Sequence, residues 1–402
     1  MKNTIPKSEH GHIRATLDTE RLKNTRHEPS HLVLLACLVL VLLSSLVSGR
    51  AGGGPVGWGG FISSPTNVPA DLTNAIAIAA SGYRSLALKA DGTTIAWGGG
   101  RTNSLPGLTN AIAIASGDDH DVALRSDGSV VAWGGGNQYG ATNVPADLTN
   151  VLAIAAGGYH SLALKADGTV VVWGEHLDPA PDVPADLTNV VAIATADNGS
   201  EGVYHNLALK SDGTVVAWGS NFADQLNVPE GLSNVVAIGC GQGNCFALKA
   251  DGTLRGWGSD YYGQATPSSD LSNVVAVAAG GYHTSALKAD GTVVTWGSNF
   301  SGQTNTPANL TNVVALAAGT YHTLALVAPP RFVSALNPAK NGTSFSVSVS
   351  TRSGHVYRLE QKTSLADTSW SPLPLAAGTG AVVTLTDPSA SDLQRFYRVR
   401  EW

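Results

Sequence analysis

The chain has 402 residues, of which 43% are hydrophobic, 13% charged and 46 are glycine, which suits one large repetitive domain plus one small one and excludes a disordered chain. The net charge of −6 is unevenly spread: residues 51–330 hold 9 Lys+Arg against 21 Asp+Glu, a balance of −12, whereas residues 1–50 and 331–402 each come to +3. An acidic centre excludes nucleic acid and anionic membrane as its natural partners, because both require basic surface.

Residues 1–50 read as an export signal. Six basic residues, from Lys2 to Arg26, precede the uncharged run Leu32–Val47, and small residues follow at Ser48, Gly49 and Ala51. Cleavage near Gly49 or Ala51 is expected, with an uncleaved anchor as the alternative. Either way the remainder is exported to a periplasmic, cell-surface or extracellular site, with no membrane insertion beyond this segment. Cys37 follows "LLA", but lipid attachment there would leave an apolar "LVLVLLSSLV" on the mature chain, so that reading is set aside.

From residue 51 to 328 one unit recurs. Trp-Gly occurs at Trp58, Trp97, Trp133, Trp173, Trp218, Trp257 and Trp296, and "LTN" or "LSN" ends at Asn74, Asn110, Asn150, Asn189, Asn234, Asn273 and Asn312. Both series count seven, at spacings of 36 to 45 residues. Within a unit "NVVAIAAG" is a short apolar run, "SLALK" alternates, and "GTVVAWG" is β-branched up to its tryptophan. Asp-Gly between the last two predicts a two-residue hairpin turn. Each unit is then a three- to four-stranded antiparallel sheet without helix, and a period near 40 made only of strands predicts a β-propeller. The ends are complementary. The first Trp-Gly has no "SLALKADG" before it and the last unit stops at "YHTLALVAPP", so Val56–Trp58 should pair beside Leu324–Leu326 and close a seven-bladed ring.

These phrases resemble the regulator-of-chromosome-condensation repeat family, as in "YHTLAL" at Tyr321–Leu326, "WGSNFSGQ" at Trp296–Gln303 and "WGSDYYGQ" at Trp257–Gln264. The resemblance covers about residues 55–328 and implies a seven-bladed propeller. The spacer "VPADLTNVVAIAAG" looks most like exported bacterial members of the family, which include a propeller β-lactamase inhibitor. Guanine-nucleotide exchange, known in the family, is not implied here. The only insertion is six residues in "TADNGSEGVYHN", and the charge has the wrong sign for chromatin.

Histidine precedes the middle strand at His120, His160, His205, His283 and His322, with Arg84 and Asn244 in the other units. One per unit places them around a circumference, which predicts structural hydrogen bonds and no metal or catalytic centre. The tryptophans are assigned to the core and the six repeated Asp residues to turns. Cys240 and Cys245, in "GCGQGNCFAL", face each other across a turn; a disulfide is expected there, with two buried thiols as the alternative. Asp118–Asp119 and Asp197–Glu201 are the only local acidic clusters; the second could bind calcium through oxygen ligands, with a solvated loop the preferred reading. No catalytic motif is present and no cofactor is implied. The variable loops after Trp-Gly carry aromatics ringed by Asn, Asp and Ser. Tyr139, His176, Phe222, Tyr261, Tyr262 and Phe300 are therefore the candidate partner-binding residues, packing over the blade edge being the alternative for several of them.

After Pro329–Pro330 the period stops, and residues 329–402 show alternating segments "TSFSVSVS", "HVYRLEQK", "AVVTLTD" and "RFYRVREW", which predict a small C-terminal β-sandwich. It resembles modules appended to many exported bacterial proteins. The expectation overall is an all-β, monomeric, non-enzymatic scaffold that binds another extracytoplasmic protein, with inhibition as one form of that role. The rival is a glycan-binding or enzymatic propeller with its site at the axial pocket.

Overall fold

A computed structural model describes residues 52–60, 65–99, 104–135, 137–174, 183–197, 204–391 and 395–402. The expected export segment, His176 and most of the Asp197–Glu201 loop lie outside the described residues. Among the described residues no helix is long and apolar enough to cross a membrane.

Seven antiparallel three-stranded sheets follow one another. Sheets 1 to 6 each take an inner, a middle and an outer strand in chain order. They are Ala75–Ser81, Arg84–Lys89 and Thr94–Gly98; Ala111–Ser116, His120–Arg125 and Val130–Gly134; Val151–Ala156, His160–Lys165 and Val170–Gly174; Val190–Asp197, Tyr204–Lys210 and Val215–Gly219; Val235–Cys240, Asn244–Lys249 and Leu254–Gly258; and Val274–Ala279, His283–Lys288 and Val293–Gly297. Sheet 7 joins Val313–Ala318 and His322–Val327 to the N-terminal strand Gly54–Gly59, in the register Val56↔Ala325 and Trp58↔Thr323. The single helical turn among the described residues is a three-residue 3-10 turn at Asn137–Tyr139.

The repeated phrases have local causes. The asparagine closing "LTN" or "LSN" takes a left-handed backbone at Asn110, Asn150, Asn189, Asn234, Asn273 and Asn312, a conformation Asn tolerates better than most residues. Its carbonyl then accepts the amide of the residue after the middle strand, as in Ala166 N to Asn150 O at 2.9 Å. The Asp-Gly connection differs from the expected two-residue turn. Lys165 and Thr169 form the closing pair around three residues, Ala166-Asp167-Gly168, and only the glycine has positive φ (82°). This is the three-residue hairpin built on an ordinary turn followed by a left-handed glycine. Asp167 does not need positive φ; its carboxylate instead accepts the Thr169 amide at 3.0 Å and hydroxyl at 2.6 Å, which holds it well below the usual range at about 2.

The middle strands are almost wholly buried, and their Leu and Ala residues pack between neighbouring sheets. Leu86 and Leu88 of sheet 1 meet Ala123 and Trp133 of sheet 2, and Leu72, Ala87 and Trp97 of the first unit meet Val314, Leu324 and Leu326 of sheet 7. Each buried leucine contributes about 1.5–3 kcal/mol. Six of the Trp-Gly tryptophans are buried, and Trp296 is half-buried against Phe246. The indole donates to a carbonyl 32 residues earlier in Trp97, Trp173, Trp257 and Trp296, at 2.7–3.0 Å.

A polar girdle runs through the same middle strands. At six of the seven steps an Arg, His or Asn at the start of one middle strand is bonded to the residue that follows the equivalent position in the next. Arg84 pairs with Asp121, His120 Nε2 with Ser161 Oγ (2.6 Å) and His160 Nε2 with Asn206 Oδ1 (2.9 Å). Asn244 Nδ2 donates to Thr284 Oγ1 (3.4 Å), His283 Nε2 is bonded to Thr323 Oγ1 (2.7 Å), and His322 Nε2 returns to Ser85 Oγ of sheet 1 (3.1 Å).

Residues 331–401 form a four-stranded sheet in the order Arg331–Val333, Phe396–Glu401, Val356–Lys362, Ser371–Ala377, and a three-stranded sheet in the order Leu336–Asn341, Ser344–Ser350, Val382–Asp387. One apolar core lies between them, with Phe345 stacked on Tyr397 at 4.0 Å. This module sits on the hairpin face of the repeats, where the Asp-Gly turns project. Leu375 N donates to Ala250 O (2.8 Å), Arg400 Nη1 to Ala289 O (2.9 Å), Arg331 Nη2 to Ile76 O (2.6 Å), and Ser353 Oγ to Val191 O. Those acceptors belong to four different sheets. Val356, Leu375 and Trp402 join the apolar core of sheets 5 to 7.

Candidate functional site

The opposite face, here the loop face, is where the inner strands end, the middle strands begin and the Trp-Gly loops leave. Two features share it: a shallow axial pocket and a file of aromatic rings.

The pocket is formed by the Gly-rich turns between inner and middle strands, with Ser81, Asp118, Gln242 and Thr320 among its polar groups. Ser81 Oγ donates to Asp118 (2.7 Å), and Gln242 Nε2 to Thr320 Oγ1 (3.0 Å). Burial pushes the Asp118 carboxyl up, against the pull of that hydroxyl. The pocket measures about 80 Å³. Small-molecule sites typically occupy roughly 300–1,000 Å³, so it is a depression more than a binding chamber.

The loops after Trp-Gly are held in one conformation by their own side chains. In "SNFSGQT" the Asn299 carboxamide oxygen accepts the Thr304 amide (3.0 Å), and the buried Gln303 accepts the Ser301 amide (2.7 Å). Asp260 and Gln264 do the same for Ala265 (2.7 Å) and Tyr262 (2.8 Å), and Asn221 and Gln225 for Leu226 (2.8 Å) and Ala223 (2.6 Å). These carbonyl and carboxylate oxygens are thus engaged inward, and the third residue of each loop is driven out. Phe222, Tyr261 and Phe300 are 84%, 85% and 81% exposed. Aromatic rings are among the residues enriched at the centres of protein-binding surfaces.

Three of the six expected residues come together. Tyr262 lies edge-on to Tyr261 (4.8 Å) and Phe300 (5.7 Å), and its third neighbour is Tyr282 (5.6 Å). Tyr282 continues to Tyr321 (5.5 Å), which stacks on Tyr83 (5.5 Å). The result is a six-ring file along sheets 5, 6, 7 and 1. Burial, with the Tyr282 and Tyr83 hydroxyls beside it, pushes the Tyr321 phenol up to about 12, so it is a neutral hydrogen-bonding group. Phe222 stands apart from the file. Tyr139 is half-buried and packs on Tyr159 at 4.8 Å, away from the others.

Tyr83, Tyr282 and Tyr321 were not among the expected residues. They precede the first residue of a middle strand in "GYR" or "TYH"-type turns, and repetition made them look like framework. The usable signal was topological: a middle strand begins on the face where an outer strand ends, so turn tyrosines and loop aromatics must share it.

Cys240 and Cys245, expected to form a disulfide, stand as free thiols in the structure. The two are opposite each other on the last rung between inner and middle strands of sheet 5. Cys245 Sγ is turned toward the Gln225 carbonyl at 3.7 Å, and both sulfurs face His205 of sheet 4. Burial raises the Cys240 thiol well above its ordinary value. Burial would also raise Cys245, but its neighbours Cys240 and His205 outweigh that and bring it down to about 6.

The model of the regulator of chromosome condensation (RCC1) repeat matches residues 111–141, 151–176, 190–225, 235–264 and 274–303. No curated protein sequence matches the chain. Among solved structures, the chain resembles Prp20p from Saccharomyces cerevisiae, whose binding properties to Gsp1p and histones are described. That match has 19% identity, covers 69% of this chain and 92% of the other, and has a TM-score of 0.55. Yeast RCC1 (Prp20) with Kap60 bound to it matches at 18% identity, 77% and 97% coverage and a TM-score of 0.52. Human WBSCR16 matches at 18%, with 69% and 99% coverage and a TM-score of 0.52. At these identities the likeness concerns the fold: the repeats form a β-propeller of this type.

Proposed function

From the premise that residues 111–303 are chromosome-condensation-type propeller repeats, we propose that this chain is an exported, monomeric, non-enzymatic scaffold that binds another extracytoplasmic protein through its loop face. In this reading residues 51–328 are a closed seven-bladed propeller, residues 329–402 a small β-sandwich that covers the hairpin face, and residues 1–50 the export signal. The return of His322 to Ser85 and the packing of Leu324 against the first unit support closure. The observation that carries the function is the aromatic file, with two of its rings more than four-fifths exposed on the face the module leaves open.

The rival reading, an axial enzyme or glycan site, is disfavoured by the pocket's volume of about 80 Å³. Relatives of this fold engage proteins, such as Gsp1p, histones and Kap60 in yeast, which supports a protein partner in general. The −12 balance of residues 51–330 argues against histones or chromatin themselves. Within the exported bacterial type, inhibition of a secreted enzyme is one form the role can take.

The test compares the wild-type chain with a Tyr261→Ala/Phe300→Ala variant as bait in native cell-envelope extract, with quantitative mass spectrometry. One or more proteins should be retained by the wild type and lost by the variant, at unchanged thermal stability. Identical retention by both would refute the loop face as the binding surface.

A further inference from the structure

The girdle contains one exception. At every other hydrogen-bonded step the opening residue meets oxygen, but at the step from sheet 4 to sheet 5 it meets sulfur. His205 is fully buried, and its ring nitrogens meet no oxygen or nitrogen partner, only the two sulfurs within 4.8 Å. His160, one sheet earlier, shows what the position ordinarily provides. Its Nε2 lies 2.9 Å from Asn206 Oδ1 and 2.8 Å from Thr195 Oγ1. Asn206 and Thr195 occupy the places that Cys245 and Cys240 hold in sheet 5. Two good oxygen partners have become two thiols, which are weak hydrogen-bonding groups.

We propose that His205, Cys240 and Cys245 form a binding site for one thiophilic d10 cation, Zn2+ or Cu+. The three ligand atoms already lie within 4.8 Å of one another. A tetrahedral shell with metal–sulfur bonds near 2.3 Å and metal–nitrogen near 2.0–2.1 Å needs them roughly 3.5–3.8 Å apart, a contraction of about 1 Å. Two sulfurs and one imidazole select soft or borderline ions over Mg2+ and Ca2+, which take oxygen. Cys240 is half-buried and lines the axial pocket, which supplies the entry path and leaves room for a small fourth ligand. Both cysteines bind as thiolates, so any proton still held by either sulfur is released on binding. The site joins two neighbouring sheets, because His205 comes from sheet 4 and both cysteines from sheet 5.

The repeats themselves supply variants that fold. Alanine occupies the place of Cys240 in sheets 1, 3, 6 and 7, serine or threonine that of Cys245 in sheets 1, 3, 6 and 7, and asparagine that of His205 in sheet 5. The fully reduced chain, free of chelator and oxygen, is titrated with Co2+ as a spectroscopic probe, then with Zn2+. Cu+ is tested separately against a chromogenic chelator. The proposal expects one equivalent of Co2+ with thiolate-to-cobalt charge-transfer absorption, displaced by Zn2+ or outcompeted by Cu+. Cys240→Ala/Cys245→Ser should abolish the absorption, and His205→Asn should weaken binding by about 10-fold or more. It is overturned if the wild type gives no such absorption, if the double variant keeps it, or if His205→Asn binds as the wild type does. A Cys240–Cys245 disulfide that reforms in the presence of equimolar Zn2+ overturns it as well. Thermal unfolding of each variant without metal checks that the fold is retained.

Discussion

Acid should dismantle the propeller through its girdle. Burial holds His120, His160 and His322 down to about 4 and His283 to about 3, while the same side chains titrate near 6.5 when unfolded. The fold therefore keeps these four rings neutral. Above about pH 6.5 both states are neutral and stability is fully present; as pH falls toward 4 the unfolded chain takes up protons that the folded one refuses, and stability is lost. Each histidine loses about 2 kcal/mol between pH 7 and pH 5, so four lose on the order of 7 kcal/mol, a large part of the 5–15 kcal/mol that holds most domains together. Asp118 and Asp121, both raised by burial, act in the opposite sense. The assay is urea unfolding followed by tryptophan fluorescence at pH 7, 6 and 5, with a His283→Asn variant alongside. The midpoint should fall steeply below pH 6.5, and the variant, less stable at pH 7, should lose about a quarter less over the same interval. A midpoint unchanged between pH 7 and pH 5 would refute the reasoning.

Three further outcomes are expected. Asp121→Ala strands the buried Arg84 and should destabilise by about 3–5 kcal/mol, whereas Arg84→His/Asp121→Ser, which copies the His120–Ser161 step, should recover most of that; calorimetry that finds the double variant as unstable as the single one rejects the girdle as a set of interchangeable pairs. Deleting residues 52–60 removes the edge strand of sheet 7 and the buried Trp58, so thermal unfolding should report a loss of at least the roughly 3–5 kcal/mol typical of a large aromatic deleted from a core. Once a partner is in hand, Tyr261→Ala or Phe300→Ala should each weaken it by about 2 kcal/mol, close to 30-fold in Kd, while Tyr139→Ala leaves binding unchanged; surface plasmon resonance reads both.

The repeat architecture was legible because two phrases, Trp-Gly and "LTN", mark opposite ends of the same sheet. Their common spacing set the number of sheets, and the missing strand before Trp58 pointed to the pairing with His322–Val327. The hairpin loop was misjudged because an Asp-Gly dipeptide does not reveal whether the residue before it, Ala166 for example, still belongs to the ladder. The strand Ser371–Ala377 was missed for its two prolines; it is an edge strand, where proline is tolerated. Of the site, the exposed loop aromatics could be read from sequence, whereas the tyrosines joining them could not, because a residue that recurs looks structural. The sulfur–imidazole cluster was hidden for a different reason: its members are supplied by two repeats, and only the packing of sheet 4 on sheet 5 brings them together.

The pairing of Gly54–Gly59 with His322–Val327 also sets a schedule. The first strand of the repeat region to be made finds its partner only after some 260 further residues of the chain have followed it. Six sheets can form in order as their own three strands emerge, but the seventh has to wait for the end of the array. Assembly of this protein is therefore local for most of its length and long-range in one final step, and the unpartnered Gly54–Gly59 segment is where a holding chaperone would act.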